Sequence, residues 1–346
     1  TLSLQENNGG ATGAVSLQGD VSVTTLTTFA QGYNVSLTGA SNAITNAVTF
    51  SNTGSVTLGD GTSDVTDFGG GMVATAPSSI SAQGTVKADG GSGVLTLGDS
   101  DTGLTVAANL LVGGTSTGTI SLGDATLADG ATLTAGAGAA NQIDLDAISG
   151  TAGSTASNLT INSTGAVTVA EAVGTDIGTV TVTQSGGTTF TGNVAAGTSV
   201  VLTDTTGTIA FSSDLTTPTL TTAGQGYGVS LLGGSTITNL ATFSNTGTTQ
   251  IGDATGDTNT FNGGVTATAG AVTAAGSVVT STDDIALGAV TLVDGQNLTL
   301  DTTNSGGGNI SVTSITGISG GTAENVTLES GSGTITVSGA IGTDIA

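Results

Sequence analysis

Short apolar-polar-apolar triplets punctuate the chain from end to end: Val35-Ser36-Leu37, Val56-Thr57-Leu58, Leu159-Thr160-Ile161, Val180-Thr181-Val182, Val290-Thr291-Leu292 and Ile310-Ser311-Val312. Period-two alternation marks a β-strand with one buried face, so Val, Ile and Leu are expected inside and Thr or Ser outside. No stretch carries the stripe of an amphipathic helix. Neighbouring triplets fall about 20–25 residues apart, and a unit that short cannot bury its apolar face alone. Stacking the units does so. The pattern therefore predicts an all-β fold, a parallel β-solenoid of about 16 coils with roughly 20–25 residues per coil and a length of roughly 75–80 Å. Gly at the corners supplies the positive φ of tight turns. A β-sandwich would need longer strands and a bulkier core, whereas aromatic residues make up 3% of this chain.

A longer repeat overlies the short one. Gln31-Gly32-Tyr33-Asn34-Val35-Ser36-Leu37 returns as Gln225-Gly226-Tyr227-Gly228-Val229-Ser230-Leu231, and Phe50-Ser51-Asn52-Thr53-Gly54 as Phe243-Ser244-Asn245-Thr246-Gly247. Farther on, Gly174-Thr175-Asp176-Ile177 answers to Gly342-Thr343-Asp344-Ile345. The offset falls from 194 (225 − 31) to 168 (342 − 174), so the second copy lacks 26 residues in its middle, close to one short unit. The chain reads as two continuous solenoid units, 1–178 and 179–346. Neither end shows a polar capping segment, and both are expected to join more of the same material. Thr1 starts no signal peptide, so the sequence has the look of a mature or excised piece.

Composition narrows the chemistry. The 346 residues include one Lys or Arg (Lys87), no His, no Cys, no Trp and 25 acidic residues, for a formal net charge of −24. That excludes a Ser-His-Asp triad, a Cys nucleophile and zinc or haem sites of the usual ligands. It also speaks against any nucleic-acid partner. No apolar run approaches the ~18 residues of a membrane-spanning helix. Polysaccharide hydrolysis needs two carboxylates at fixed separation, but the one adjacent pair, Asp283-Asp284, has no Arg or His beside it. No enzyme and no cofactor are expected.

The Gly/Thr/Val/Asn texture, with runs such as Gly165-Ala166-Val167-Thr168-Val169 and Gly333-Thr334-Ile335-Thr336-Val337, resembles the giant β-strand-repeat surface proteins of bacteria, including filamentous-haemagglutinin-like adhesins and autotransporter passenger domains. That resemblance implies a right-handed β-helix, secretion to the cell exterior or surface, and a role in adhesion, sheaths or surface layers. It carries over no catalytic residue. The expected function is a segment of an extracellular fibre, sheath or surface layer that partners itself head-to-tail and laterally; the alternative is the shaft of an adhesin whose tip lies elsewhere.

Candidate chemistry is sparse. Asp60, Asp64 and Asp67 lie close together, and Asp253 with Asp257 repeats the first two. Carboxylate oxygens with corner carbonyls suit Ca²⁺, although the EF-hand and calcium β-roll signatures are absent; the competing reading is solvated acids that aid solubility. Sequons occur at Asn34, Asn158, Asn162, Asn297, Asn309 and Asn325. Tyr33 and Tyr227 are expected to mark one coil of each unit, and Lys87 to be a solitary surface charge. Because the triplet spacing drifts, the outward Thr residues are not expected to hold the strict register of an ice-matching face.

Overall fold

The computed structural model describes residues 1–5, 10–303 and 306–346. It is an all-β parallel β-solenoid of about 14 turns, with no helix among the described residues. Each turn contributes three short strands, and each strand pairs in parallel with the strand one turn later. Two compact units are present, Thr1–Gly186 and Gly187–Ala346.

In unit 1, Asn34–Leu37, Ser41–Ile44 and Val48–Thr49 make one turn and pair with Val56–Leu58, Val65–Phe68 and Met72–Ala74 of the next. In unit 2, Gly228–Leu231, Ser235–Ile237 and Ala241–Thr242 pair in the same way with Thr249–Ile251, Thr258–Phe261 and Val265–Ala267. The triplets behave as their alternation requires. Val35, Val56, Ile80, Leu104, Ala125 and Ile148 lie in register inside unit 1, each at most 1% exposed. In unit 2 the corresponding kind of inner row runs Phe190, Phe211, Leu231, Ile251, Ala274 and Leu292, and its first two rings stack with centroids 4.9 Å apart. Burying each Val, Leu, Ile or Phe of these rows contributes about 1.5–3 kcal/mol.

Two expectations need correction. The turns number about 14, not about 16, and the step between paired residues ranges from 18 (Val272 beside Val290) to 28 (Leu298 beside Val326). The outward hydroxyls also hold register: Ser36, Thr57, Ser81, Thr105, Thr126 and Ser149 form one unbroken row. Residues that lengthen a turn are taken up at corners, so sequence spacing drifts while strand pairing does not. This row is one hydroxyl wide, because a three-residue strand such as Val56–Leu58 has a single outward position.

The 26 missing residues can be placed. In unit 1 the chain steps from Gly84 to Leu110 and then from Leu110 to Leu133. In unit 2 the equivalent Gly276 steps directly to Leu298. Gly84 and Gly276 share φ near +79° and +75°, and Gly130 and Gly295 share +71° and +69°, which fixes the correspondence on both sides of the loss. One whole turn is gone, and its neighbours pair across the gap.

Corner glycines serve closeness as well as φ. At Gly93 a β-carbon would fall 2.8 Å from the carbonyl carbon of Gly70 in the turn before, so backbone stacks on backbone there with no room for a side chain. Truncating a fully inward residue, Leu122→Ala, is expected to cost about 2–5 kcal/mol in urea unfolding, while Thr126→Ala on the outer row changes stability by no more than about 0.5 kcal/mol.

Candidate functional site

The acidic corner of unit 1 is built on a reversal at Gly59, whose φ of +75° is matched by +74° at Gly252 in unit 2. Asp64 folds back over this corner, and its Oδ2 accepts the N–H groups of Asp60 (2.8 Å) and Gly61 (2.7 Å). Asp257 does the same for Asp253 and Ala254, both at 2.8 Å. The main-chain oxygens of the two residues then accept Thr85 N–H and Ser277 N–H from the following turn, again at 2.8 Å. Asp64 and Asp257 are therefore turn staples whose carboxylates are already engaged by backbone donors. Asp67 points elsewhere, to Lys87 Nζ at 3.6 Å. Among the described residues no group of three or more His, Cys, Asp or Glu is arranged to hold a metal.

Lys87 is not solitary. It lies on the outer face in register with Asp67 and also contacts Asp89, whose hydrogen bond raises the lysine's pKa and is the main cause of lowering its own. Tyr33 and Tyr227 each mark one coil, but as fully buried anchors. Tyr33 donates its hydroxyl hydrogen to Leu4 O (2.9 Å) and accepts Phe29 N–H (2.9 Å); Tyr227 donates to Leu202 O (2.8 Å) and accepts Ala223 N–H (2.9 Å). Phe50 with Phe68 and Phe243 with Phe261 repeat the same edge-to-face contact, at 6.0 and 6.3 Å.

Four of the six sequons have a structural explanation that the sequence reading missed. Asn34 Oδ1 accepts the N–H of Ser55 in the next turn (2.9 Å), Asn158 that of Thr179 (3.0 Å), Asn297 that of Asn325 (2.9 Å) and Asn309 that of Thr334 (3.0 Å). Aspartates share the device: Asp214 caps Gly234 N–H and Asp284 caps Asn309 N–H. An outward Asx starts the strand, an inward apolar residue follows, and an outward Ser or Thr comes third, so Asn-x-Ser/Thr arises from strand alternation itself. The recurrence of Asn two positions before an outward hydroxyl was the available signal. Asn52 and Asn245 were missed as well. Both are fully buried and donate Nδ2–H to the main-chain oxygens of Tyr33 and Tyr227, each at 3.2 Å.

A shallow open groove of about 430 Å³ lies on unit 2, lined by Asp214, Thr216, Thr236, Asp257 and Thr260 among others. Its carboxylates are those already bonded to backbone amides, which makes it a hydrogen-bonding surface with no activated group. No helix among the described residues is long and apolar enough to cross a membrane. No family model, no curated protein and no solved structure matches this chain. The β-solenoid accordingly rests on the strand pairing, and the likeness to haemagglutinin-type and passenger-domain proteins remains one of texture.

Hydrogen bonds from Asp60 and Gly61 lower the pKa of Asp64, and the bond from Thr155 lowers that of Asp129. Burial raises Asp146 and Asp253, with Asp124, Asp99 and Asp144 adding repulsion at the first and Asp257 at the second. Depressed carboxylates contribute stability at neutral pH that is lost as pH falls through their folded values, below the ordinary ~3.9. Raised carboxylates do the opposite and relieve strain as pH falls toward that value from above. Thermal unfolding should therefore hold or rise slightly on mild acidification, then fall steeply below about pH 3.9. Asp64→Ala, measured at neutral pH, should cost about 1.5–3 kcal/mol.

Proposed function

We propose that this chain is a segment of an extracellular structural protein, a fibre, sheath or surface layer, in which turns of this kind continue along one axis and copies associate end to end and side by side. The observation that carries this reading is the parallel ladder within each unit, with apolar rows inside and, in unit 1, an unbroken hydroxyl row outside. A ladder of backbone bonds along the stacking direction resists extension. Wherever such a ladder stops, its last strand leaves N–H and C=O groups that a second copy can pair without closing a ring, and a non-closing contact of that kind generates filaments.

The composition fits a passive material. One lysine in 346 residues leaves almost no site for trypsin-like cleavage, and a charge of −24 keeps surfaces apart unless an ion or a dense row of hydroxyls bridges them. Binding or assembly, without catalysis, is the role proposed, with no nucleic acid as partner. The shaft of an adhesin uses the same ladder and differs in its assembly.

Negative-stain imaging of the native protein, with fibre diffraction where it orders, tests the reading. Filaments or sheets with many lateral contacts and a ~4.8 Å repeat along the axis are the expected result. Particles that stay monomeric at all concentrations and salt levels overturn self-assembly, and rods tethered at one end to a binding tip replace it with the adhesin shaft.

A further inference from the structure

Glu324 is the one acidic residue among the fully buried side chains of unit 2's core, with no exposed surface. Its Oε1 accepts Gly295 N–H at 3.1 Å, whereas its Oε2, equally buried, receives no hydrogen bond. That oxygen lies against Gly317, beside the main-chain oxygen of Asp344: a β-carbon built on Gly317 would meet Glu324 Oε2 and fall 2.8 Å from Asp344 O. Two more carboxylates border the same loop. Asp344 Oδ2 accepts Gly320 N–H at 3.3 Å, and Asp294 Oδ1 accepts Thr322 N–H at 2.8 Å.

Unit 1 shows what this position ordinarily holds. Ser157 N–H bonds to Asp176 O as Glu324 N–H bonds to Asp344 O, and Gly150 faces Asp176 as Gly317 faces Asp344. In unit 1 the buried side chain is a hydroxyl that donates to Ala128 O at 2.9 Å and needs nothing further. In unit 2 a carboxylate takes its place, against a main-chain oxygen and next to other acids. A buried carboxylate is retained only when it is paired or neutralised. The chain itself supplies no partner for it, because its sole Lys belongs to unit 1, where Asp67 and Asp89 hold it, and there is no Arg or His.

We propose that Glu324 anchors a binding site for a hard, oxygen-seeking cation, Ca²⁺, in which its Oε2 and the Asp344 main-chain oxygen are protein ligands and water completes the shell. With one free carboxylate oxygen the site falls in the weak range of extracellular calcium modules, about 0.1–1 mM. It is separate from the corners at Asp64 and Asp257, where Oδ2 of each carboxylate accepts two backbone amides of its own turn.

The test is titration of the 346-residue protein with CaCl₂ at constant ionic strength, followed by calorimetry, thermal unfolding and amide NMR, with MgCl₂ as the control. A saturable Ca²⁺ response in the ~0.1–1 mM range is expected, with selective shifts of the Gly295 and Gly317 amides. Glu324→Ser, which restores the residue unit 1 uses, and Glu324→Gln should weaken the response at least about tenfold, ~1.4 kcal/mol. No response in the wild-type protein overturns the site, as does an equal response to Mg²⁺ or one that survives both substitutions. The wild-type NMR shifts decide the matter even if a variant fails to fold: shifts confined to other residues also overturn it.

Discussion

Everything in this molecule is subordinate to the parallel backbone ladder. Once the N–H and C=O groups of one turn pair with those of the next, every side chain is stacked on a counterpart about 4.8 Å away. Stacking rewards identical apolar residues, which close into dry rows, and outward hydroxyls, which tolerate their own kind. It penalises like charges. The 8% charged content follows from this constraint, as does the placement of the acids. Most lie outside strands, where the ladder leaves amides for a carboxylate to accept; Asp301 and Glu329, in contrast, stack in register at strand ends.

The ladder also explains how the chain tolerates irregularity. Pairing fixes the strands but not the connections, so the step varies from 21 to 24 residues along Val35 to Ile148 while the inner row keeps its register. By the same logic a complete turn can be removed, as between Gly276 and Leu298, without disturbing the turns on either side. Nearest-neighbour stacking makes each turn's contribution local. That is why the two units retain the same Tyr anchor, the same Phe pair and the same Asp staple despite different lengths.

The strands were legible in the sequence because alternation is written directly in residue type: Val56-Thr57-Leu58 states its inside and outside without reference to anything else. The corners were not, because their chemistry depends on which turn lies above. Asp64 and Asp67 are three positions apart and chemically identical, yet one caps two amides of its own turn and the other meets a lysine. The closeness of Asp60, Asp64 and Asp67 in sequence did not show that the carboxylates of Asp64 and Asp67 meet different partners. The capping role of Asn34 and Asn309 was hidden for the same reason, since the amide each one caps lies 21 or 25 residues away.

Glu324 was the least legible residue of all. In sequence it sits in Gly-Thr-Ala-Glu-Asn-Val, as polar as any surface loop, and its counterpart appears only when Ala323-Glu324-Asn325-Val326 is set against Ala156-Ser157-Asn158-Leu159 of the first unit. The bond from its N–H to Asp344 O, matched by Ser157 N–H to Asp176 O, shows that a carboxylate occupies a buried hydroxyl's place. A repeat makes such an exchange permissible. The ladder around Glu324 is carried by backbone bonds that do not depend on its side chain, so the cost of an unpaired charge falls on that one position. A cost confined to one position, in a chain with no spare cation of its own, is what an external cation can offset, and it is most readily accepted where another copy of the turn keeps the original hydroxyl.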